Sequence, residues 1–329
     1  MFKQKMSKKL GPLSMMLVDA AKRQGAKIKV VSPPATFWTI KGKKKWLFCG
    51  VYTPLNKLPG GKIADNKKWT KRVWLASGLP VAKDFIVTEK NYIERIRDNK
   101  ISFPLVVKPM ADSLKGYGVV TNIRSKKDLE KICQKLFKKN HPRLIIEEFY
   151  QNLIDYRVLV LNGKVIATSK RIPPYVVGDG KSTIKKLISE KNKIRKEFKE
   201  AELGAIKMDD EFRISLKNQK MTLNTVPKKN KYVKLKNVCN QGSGGEVEDA
   251  TNDICKFNRK LAIKAAEALD LKLAGVDFLC KDISKPLKKR KGILLEVNEH
   301  PDLSLHIFPQ KGKPRMVADQ IIKEVLKLQ

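Results

Sequence analysis

Residues 292–301, GILLEVNEHP, begin as an apolar strand and continue into a polar turn. Glu296 and Asn298 stand two positions apart, and because strand side chains alternate between faces, both lie on the same face. The leucines and the valine around them are apolar, so the rest of the strand is expected to be buried. Polar side chains held together on a buried strand indicate a functional site, whereas the same pair on a surface strand would be an ordinary solvated face.

A second apolar stretch, AGVDF at residues 274–278, carries Asp277 near its end. If the two strands pair, Asp277 joins Glu296 and Asn298. Carboxylate and amide oxygens are hard ligands suited to Mg²⁺, which takes its remaining ligands from water and nucleotide phosphates. The sequence therefore predicts a site for Mg²⁺ on this pair of strands, with Mn²⁺ as the alternative ion.

The segment VVKPMADSLKGYG, residues 106–118, places Lys108 at the end of a buried strand, before a loop that contains glycine. A lysine there reaches phosphate oxygens, and Gly116 and Gly118 allow backbone amides to approach an anion closely. A plain turn after a strand explains the same residues equally well. Taken alone, the segment leaves both interpretations open.

Hydrophobic periodicity predicts helices and strands over most of the chain. Asn162-Gly163 between two apolar stretches indicates a β-hairpin, since both residues tolerate a positive φ. Residues 182–227 are polar, lysine-rich and helix-forming, and we interpret them as an insertion that covers a cleft. The predicted helices cover residues 13–23, 66–76, 125–138, 258–269 and 316–328, and the predicted strands cover residues 28–31, 103–108, 144–147, 156–161, 164–169, 274–279 and 292–297.

Length and composition indicate a globular protein of two or three lobes. The chain has 329 residues, 42% of them hydrophobic, and no apolar run approaches the roughly 20 residues of a membrane helix. Asp19 and Lys22 interrupt the short apolar patch near the N-terminus, so we expect no signal peptide and no membrane partner. Five cysteines without a CxxC pair, and only three histidines, suit a reducing cytoplasm and no zinc cluster.

The net charge is the unusual quantity. Lys and Arg number 70 against 33 Asp and Glu, which gives +37. Such a field attracts polyanions, but the basic residues are mostly lysines spread along the chain, without the interleaved aromatics that stack bases. Surface decoration in a lysine-rich protein explains the charge, and an acidic substrate or an anionic partner explains it too. Nucleic acid therefore remains a candidate partner. A second copy of the chain is a separate candidate, to which the charge does not point.

The order and spacing of these segments resemble one known module. From about residue 64 to residue 306, the chain resembles the ATP-grasp module of cyanophycin synthetases and of bifunctional glutathione synthetases. The agreement is most specific in GDGKSTI, in AGVDF with DISKP, and in EVN. The resembling segments are DNKKWTKRVWLASGLPVA (65–82), FPLVVKP (103–109), DYRVLVLNGKVIATSKRIPPYVVGDGKSTI (155–184), NQGSGGEVEDAT (240–251), LAGVDFLCKDISKP (273–286) and LLEVN (294–298).

The resemblance implies an α/β (α+β) ATP-grasp fold, in which two α/β lobes clasp ATP beside a small N-terminal α/β cap. Residues 1–56 would form the cap and residues 57–329 the ATP-grasp domain. Within that domain, the nucleotide lobe would cover about residues 100–165, and the catalytic and metal lobe about residues 166–329.

The resemblance also implies an activity. The expected enzyme is an ATP- and Mg²⁺-dependent ligase that joins a carboxylate to an amine through an acyl phosphate, in a single ligation step. Amino acids or small peptides are the expected substrates, and the charge favours acidic ones.

Individual residues receive roles from the same resemblance. For the nucleotide, Lys67 and Lys108 would bind the phosphates. The loop 112–118, with Lys115, Gly116 and Gly118, would cover the phosphates. Either Glu147 or Glu148 would be the adenine-hinge acid, and Asp155 would lie near the ribose. For the reaction, Arg157 and Arg171 would face the acyl phosphate. Arg157 would also bind the substrate, together with Asn240, Gly244 and Gly245. The metal ligands would be Asp277, Glu296 and Asn298. A guanidinium fork matches phosphoryl geometry, which suits the two arginines.

Three departures from the family pattern bear on these roles. The hinge segment is one residue longer than usual if Glu147 is the hinge acid, so the choice between Glu147 and Glu148 stays open. Gly242 stands where relatives have serine, which removes a hydroxyl from the substrate loop. EVN continues as EHPD where Ala-Pro-Gly is common.

A basic nucleic-acid-binding or scaffold protein that keeps the fold without catalysis is the alternative function. Such a protein would have no use for charged groups on buried strands, which are costly to maintain. The intact charged residues Lys67, Lys108, Asp277 and Glu296 therefore favour the enzyme. Magnesium-dependent ATP binding separates the two classes.

Overall fold

The computed structural model describes residues 10–32, 36–100, 102–110, 118–150, 152–197, 203–287 and 292–328. Within these ranges, no helix is long and apolar enough to span a membrane. The helices are α1 (Pro12–Arg23), α2 (Leu58–Ala64), α3 (Lys67–Ala76), α4 (Tyr92–Asp98), α5 (Lys126–Phe137), α6 (Ile184–Glu197), α7 (Asp210–Asn218), α8 (Lys256–Glu267), α9 (Ser304–Ile307) and α10 (Val317–Val325). The strands are β1 (Lys27–Ser32), β2 (Thr36–Lys41), β3 (Lys44–Cys49), β4 (Asp84–Thr88), β5 (Leu105–Pro109), β6 (Val120–Ile123), β7 (Arg143–Glu148), β8 (Ile154–Leu161), β9 (Lys164–Ile172), β10 (Tyr175–Val177), β11 (Tyr232–Lys234), β12 (Glu246–Asp249), β13 (Leu273–Cys280) and β14 (Gly292–Asn298).

The first of the two larger sheets has four strands in the order β4-β7-β5-β6, and each neighbouring pair is antiparallel. Val107 and Ile146 from its strands pack against Leu129 of α5 in one apolar core. Helix α5 begins where predicted, because the Ser125 hydroxyl accepts a hydrogen bond from the Asp128 amide at 3.1 Å. With one face packed on helices, the other face of this sheet is left for polar side chains.

The second larger sheet has five strands in the order β12-β9-β8-β13-β14, again antiparallel throughout. On one face, Val158 and Val276 pack against Ala262 and Ala265 of α8. Trp74 of α3 enters the same core, and its indole Nε1 donates to the Ala265 carbonyl at 2.9 Å. The small alanines let α8 lie close to the sheet, and α3 is anchored beside it.

A β-bulge in β14 sets the side-chain directions at the end of this sheet. Asp277 pairs with Glu296 while Phe278 pairs with Leu294, so Leu295 is the extra residue. A bulge interrupts the alternation of faces along a strand. Leu294 therefore stays in the apolar core while Glu296 shares the polar face with Asp277, an arrangement that a regular strand would forbid.

The N-terminal region is α/β, as predicted, and it shares its core with the end of the chain. Helix α1 and the three-stranded sheet β1-β2-β3 pack against α10 and the second sheet, in a cluster that includes Leu17, Phe37, Leu159 and Ile321. Because the two ends of the chain bury apolar surface together, the cap is an integral layer of the molecule. Its boundary near residue 56 stays a prediction.

The lysine-rich region folds around a small core. Helices α6 and α7 pack against the β10-β11 pair, with Ile188, Phe212 and Val233 buried between them. The predicted insertion at residues 182–227 contains the two helices as expected. The folded unit reaches further, because Val176 and Leu235 on either side belong to the same core.

The division between the two larger sheets falls between Glu148 and Ile154, where β7 ends and β8 begins. This is earlier than the predicted lobe boundary near residue 165. The physical reason is that β8 pairs along its length with both β9 and β13, which places it in the middle of the second sheet.

Asn258 is fully buried in the first turn of α8, where it joins three backbone groups. Its amide donates to the carbonyls of Ile283 at 2.8 Å and Lys285 at 2.9 Å, and its Oδ1 accepts from the Leu287 amide at 2.9 Å. Asn258→Leu leaves these groups unpaired, so we expect the free energy of unfolding to fall by about 2–5 kcal/mol. Urea unfolding followed by circular dichroism measures the change.

The exposed Lys260→Ala on the same helix is the control for this substitution, and it should change stability by less than about 0.5 kcal/mol. A loss in Asn258→Leu no larger than the loss in this control would contradict the expectation.

Candidate active site

The polar face of the first sheet carries a buried cluster of charges. Glu147 is 5% exposed, and its two carboxylate oxygens each lie 2.8 Å from a lysine Nζ, on Lys108 of β5 and on Lys71 of α3. Lys71 also lies 3.4 Å from Asp84 of β4. Burial alone would raise the pKa of Glu147, but the charges of the two lysines lower it to about 2. Glu147 is therefore ionised and holds both lysines on this face.

Lys67 begins α3 one helical turn before Lys71, after the N-cap residue Asn66. Burial lowers the pKa of Lys67, the charge of Glu296 opposes this change, and the charge of Lys108 adds to it. Lys67 therefore lies within electrostatic reach of a first-sheet lysine and of a second-sheet carboxylate. Helix α3 is the element that brings the polar faces of the two sheets together.

Asp277 is fully buried in the second sheet and accepts hydrogen bonds from two arginines. Arg157 lies opposite it in register and donates through Nε and, at 3.1 Å, through Nη2. Arg171 of β9 donates through Nη2 at 2.6 Å. Burial raises the pKa of Asp277, but the two guanidinium groups more than offset this and hold it below its usual value. The two arginines predicted at the acyl phosphate thus surround a predicted metal ligand.

Asp155, predicted to lie near the ribose, belongs to the same network. It accepts hydrogen bonds from Arg171 Nε at 2.9 Å and from Arg171 Nη2 at 2.7 Å. Burial, opposed by the charge of Arg171 and reinforced by that of Asp277, raises the pKa of Asp155 to about 6. Contact between Asp155 and a nucleotide stays a prediction.

Glu296 and Asn298 complete the predicted metal set. Glu296 pairs in register with Asp277, and Asn298 pairs with Gly275. Burial and the charge of Asp277 raise the pKa of Glu296, because neighbouring like charges disfavour ionisation. Asn298 Nδ2 is buried, and no described residue makes a hydrogen bond with it. The two carboxylates and the amide oxygen brought together here fit a hard divalent cation, Mg²⁺ or Mn²⁺.

The predicted substrate loop is shaped by its glycines. Asn240 precedes the 3₁₀ turn Gln241–Ser243, and its side chain accepts a hydrogen bond from the Gly242 amide at 2.8 Å. Gly244 has a φ of +106°, and a Cβ there would lie 2.6 Å from a neighbouring side chain. A Cβ on Gly245 would lie 2.9 Å from the backbone of Asn240. Larger residues would therefore distort the loop.

The lysine-rich unit holds this loop beside the arginines. Strand β12 follows the loop and pairs with β9, which places Val247 opposite Arg171. Arg195 of α6 is 3% exposed and donates to the carbonyls of Gly204 at 2.8 Å and of Gln241 at 2.9 Å. The lysine-rich unit thus fixes the position of the loop through the buried guanidinium of Arg195.

Most of the predicted phosphate loop, residues 112–118, lies outside the described residues, and so do Lys115 and Gly116. Gly118 is described and has a φ of +75°. A Cβ at Gly118 would lie 2.9 Å from the ring of Pro109, so this end of the loop requires glycine.

The two candidates for the hinge acid have different surroundings. Glu147 is committed to its two lysines, as described above. Glu148 is half-buried and accepts a hydrogen bond from the Tyr150 hydroxyl at 2.9 Å. Both residues lie at the end of β7, from which the chain passes to the second sheet, and both remain candidates for the adenine contact.

Sequence reasoning missed Lys71 and His306. Lys71 stands four residues after Lys67, a helical spacing that places both side chains on one face. His306 is 2% exposed, and its Nδ1 lies 2.6 Å from Ser169 Oγ on β9. Because the Ser169 hydroxyl donates to the Leu305 carbonyl at 3.1 Å, it accepts from His306 Nδ1–H. The spacing could have revealed Lys71, whereas the contact of His306 depends on long-range packing.

Comparisons with known proteins show which proteins the chain is similar to. Residues 73–201 match the family model described as the ATP-grasp domain of prokaryotic glutathione synthetase. The cyanophycin synthetase of Trichormus variabilis is 31% identical over 315 residues, which is 95% of this chain and 35% of that protein. The glutathione biosynthesis bifunctional protein of Clostridium perfringens is 28% identical over 317 residues, which is 94% of this chain and 40% of that protein. The chain therefore spans well under half the length of these relatives.

Among solved structures, the bifunctional glutathione synthetase of Pasteurella multocida matches with a TM-score of 0.70 at 23% identity. The match covers 96% of this chain and 44% of that one. The chain has the ATP-grasp fold, so the predicted fold class is confirmed. Within that class it is similar to the ATP-grasp part of cyanophycin synthetases and of bifunctional glutathione synthetases, which confirms the resemblance seen in the sequence.

His306 gives the fold a pH dependence. Burial and the charge of Arg157 lower the pKa of His306 to about 3, whereas an unfolded chain protonates histidine below about pH 6.5. The stability linked to neutral His306 is therefore complete above pH 6.5 and is lost as the pH falls toward 3. Below pH 6, we expect the free energy of unfolding of the wild type to fall with pH more steeply than that of His306→Gln, by up to about 1.4 kcal/mol per pH unit.

Urea unfolding of both proteins, at several values between about pH 7 and pH 5, measures this difference in slope. The variant carries every other titrating group of the wild type and so controls for them. Parallel pH profiles of the two proteins would show that His306 is not the source.

Proposed function

We propose that the chain is an ATP-dependent ligase that joins a carboxylate to an amine, with an amide as the product and an acyl phosphate as the intermediate. The observation that carries this proposal is the buried cluster in which Arg157, Arg171, Asp277 and Glu296 share one sheet face, within reach of Lys67. Burying such charges costs several kcal/mol each. Phosphoryl transfer uses a set of this kind, because its catalysis is mostly positioning and charge neutralisation.

The chemistry explains why ATP is needed. A carboxylate is a poor electrophile, because it has no good leaving group. Transfer of the γ-phosphoryl group of ATP to a carboxylate oxygen forms an acyl phosphate and ADP. An amine then attacks the carbonyl carbon, the bond from carbon to the phosphate oxygen breaks, and the amide, phosphate and a proton are released. The cleft must exclude water until the amine attacks, since water would hydrolyse the intermediate.

The basic residues have two roles, one for the lysines and one for the arginines. Lys67 and Lys108 bind the nucleotide phosphates from the side of the first sheet. Arg157 and Arg171 present guanidinium groups to the phosphoryl oxygens as the group moves to the carboxylate. Their contacts with Asp277 hold them in position, which is the requirement for electrostatic catalysis without reorganisation.

Asp277, Glu296 and Asn298 would hold Mg²⁺. The ion, when bound, neutralises charge on the nucleotide phosphates. The raised pKa of Glu296, caused by burial and by Asp277, supports this assignment, because a cation beside the two carboxylates relieves their repulsion.

Amino acids or small peptides are the proposed substrates. The names of the relatives, cyanophycin synthetase and glutathione biosynthesis protein, point to peptide-like products. Asn240, Gly244 and Gly245 form the loop next to β9, where such a substrate would lie close to Arg171. Gly242 in this loop offers only backbone groups for contact.

The cytoplasm is the proposed compartment, because Cys49, Cys133, Cys239, Cys255 and Cys280 are all free thiols. Association with nucleic acid stays a prediction from the charge, and association with a second copy of the chain stays a prediction apart from it.

Glu296→Gln tests the proposal. The change removes one charge at nearly constant volume, so we expect the circular dichroism spectrum to persist. ATP-dependent phosphate release, screened with amino acids and small peptides and followed by mass spectrometry of products, should fall at least about 100-fold. The exposed Glu267→Gln on α8 is the matched control and should keep the wild-type rate.

A wild-type rate of phosphate release in Glu296→Gln would refute the metal assignment. Failure of the wild-type protein to bind ATP in the presence of Mg²⁺ would favour the non-catalytic scaffold instead.

The net charge generates a test of the substrate class. If the substrate is an acidic amino acid or peptide, long-range attraction raises its encounter rate, and salt screens this over a Debye length of about 8 Å. We expect kcat/KM for acidic substrates to fall severalfold between about 50 and 500 mM salt, and kcat/KM for neutral ones to change little. Preference for neutral substrates without a salt effect would show that the surface charge has no role in substrate capture.

A further inference from the structure

We propose that Asp65, Glu299 and His300 form a second metal site, separate from the site at Asp277, for a divalent first-row transition ion such as Zn²⁺ or Mn²⁺. Asp65 follows α2, and Glu299 and His300 follow β14. Ligand atoms of the three side chains lie within 4.8 Å of one another. One imidazole nitrogen and two carboxylates are a donor set that suits these ions, and three protein ligands leave room for water.

The orientation of His300 is the second observation that points to an ion. The ring of Tyr52 stacks on the imidazole with centroids 4.2 Å apart, and its hydroxyl lies 3.3 Å from Nε2. The other nitrogen, Nδ1, is buried 3.7 Å from Glu299 Oε1, and no described residue makes a hydrogen bond with it. Metal-binding histidines are held in this way, with the far nitrogen on a polar partner and the near nitrogen turned to the ion.

The Glu299 carboxylate is held closely by the backbone of α2. Gly61 of α2 packs against the Glu299 carboxylate so tightly that a Cβ would not fit between them. The carboxylates of Asp65 and Glu299 offer oxygens within 4.8 Å of each other and of the His300 imidazole, so a cation between them would offset their repulsion. A cavity of about 370 Å³, lined in part by Tyr52, Asp65 and Glu299 and also by Lys57 and Lys62, lies beside the two carboxylates.

The ligands come from a part of the sequence that the proposed reaction does not use. Glu299 and His300 belong to the EHPD segment, the departure from the Ala-Pro-Gly pattern noted in the sequence. Asp65 lies two residues before Lys67, and Glu299 directly follows Asn298. An ion here would tie the start of α3 to the end of β14, so it would restrain two elements that carry the proposed active site.

The test uses the full chain, stripped with a chelator and free of nucleotide, in excess Mg²⁺ so that hard-cation sites are filled. Calorimetric titration with Zn²⁺, and separately with Mn²⁺, should show about one equivalent bound with at least one of them, and thermal unfolding should shift upward with that ion. Asp65→Asn, Glu299→Gln and His300→Gln should each weaken binding by roughly 10-fold or more. Asp65 is exposed, so Asp65→Asn keeps the test valid even if a buried variant misfolds.

Two controls separate this site from others. Glu296→Gln should bind the added ion as wild type does, which distinguishes the site from the Asp277 set. Cys49 is an exposed thiol close to Tyr52, and a thiol can itself bind Zn²⁺. If the proposed site is correct, Cys49→Ser should bind the added ion as wild type does. Absence of binding in excess Mg²⁺, or equal affinity in wild type and Asp65→Asn, would overturn the proposal. Since no nucleotide is present, this outcome is independent of the proposed ligase activity.

Discussion

The burial of Asp277 between two arginines is the constraint on which the rest of the structure depends. A carboxylate with no exposed surface is unstable unless cations lie against it, and Arg157 reaches it from the adjacent β8 and Arg171 from β9 beyond it. That requirement fixes the register of β9, β8 and β13, because a shift by one residue would turn each charge into the apolar core. The same register brings Glu296 beside Asp277, so the fold and the proposed site share one set of contacts.

Local sequence signals predicted the elements that carry the site. Asn162 and Gly163 both adopt a positive φ between β8 and β9, as the hairpin signal requires, and Asn66 caps α3 where the predicted helix begins. The polar pair Glu296 and Asn298 does lie on one face of a largely buried strand. These predictions succeeded because turn chemistry, capping and strand periodicity act over a few residues.

The rest could not be read from spacing, because it depends on register and on long-range packing. The pairing of Asp277 with two arginines follows from the order of three strands, β9, β8 and β13, which the periodicity leaves unspecified. The bulge at Leu295 is visible only once β13 and β14 are paired. Strands β2 and β3 were missed although residues 36–49 alternate around Gly42, so there the signal was present. The role of each site residue in binding stays a prediction.

The charged residues of the proposed active site are distinct from the lysines that give the chain its net positive charge. Within the cluster, Glu147 and Asp84 balance Lys71 and Lys108, while Asp155 and Asp277 balance the arginines, so the surplus behind the net charge of +37 lies elsewhere. An incoming triphosphate would compete with Glu147 for Lys108. Since Lys71 remains on the other oxygen of Glu147, that carboxylate keeps a counter-ion when Lys108 turns to phosphate. If Lys108 binds phosphate as proposed, Lys71 would let Lys108 move, which a single buried ion pair would not allow.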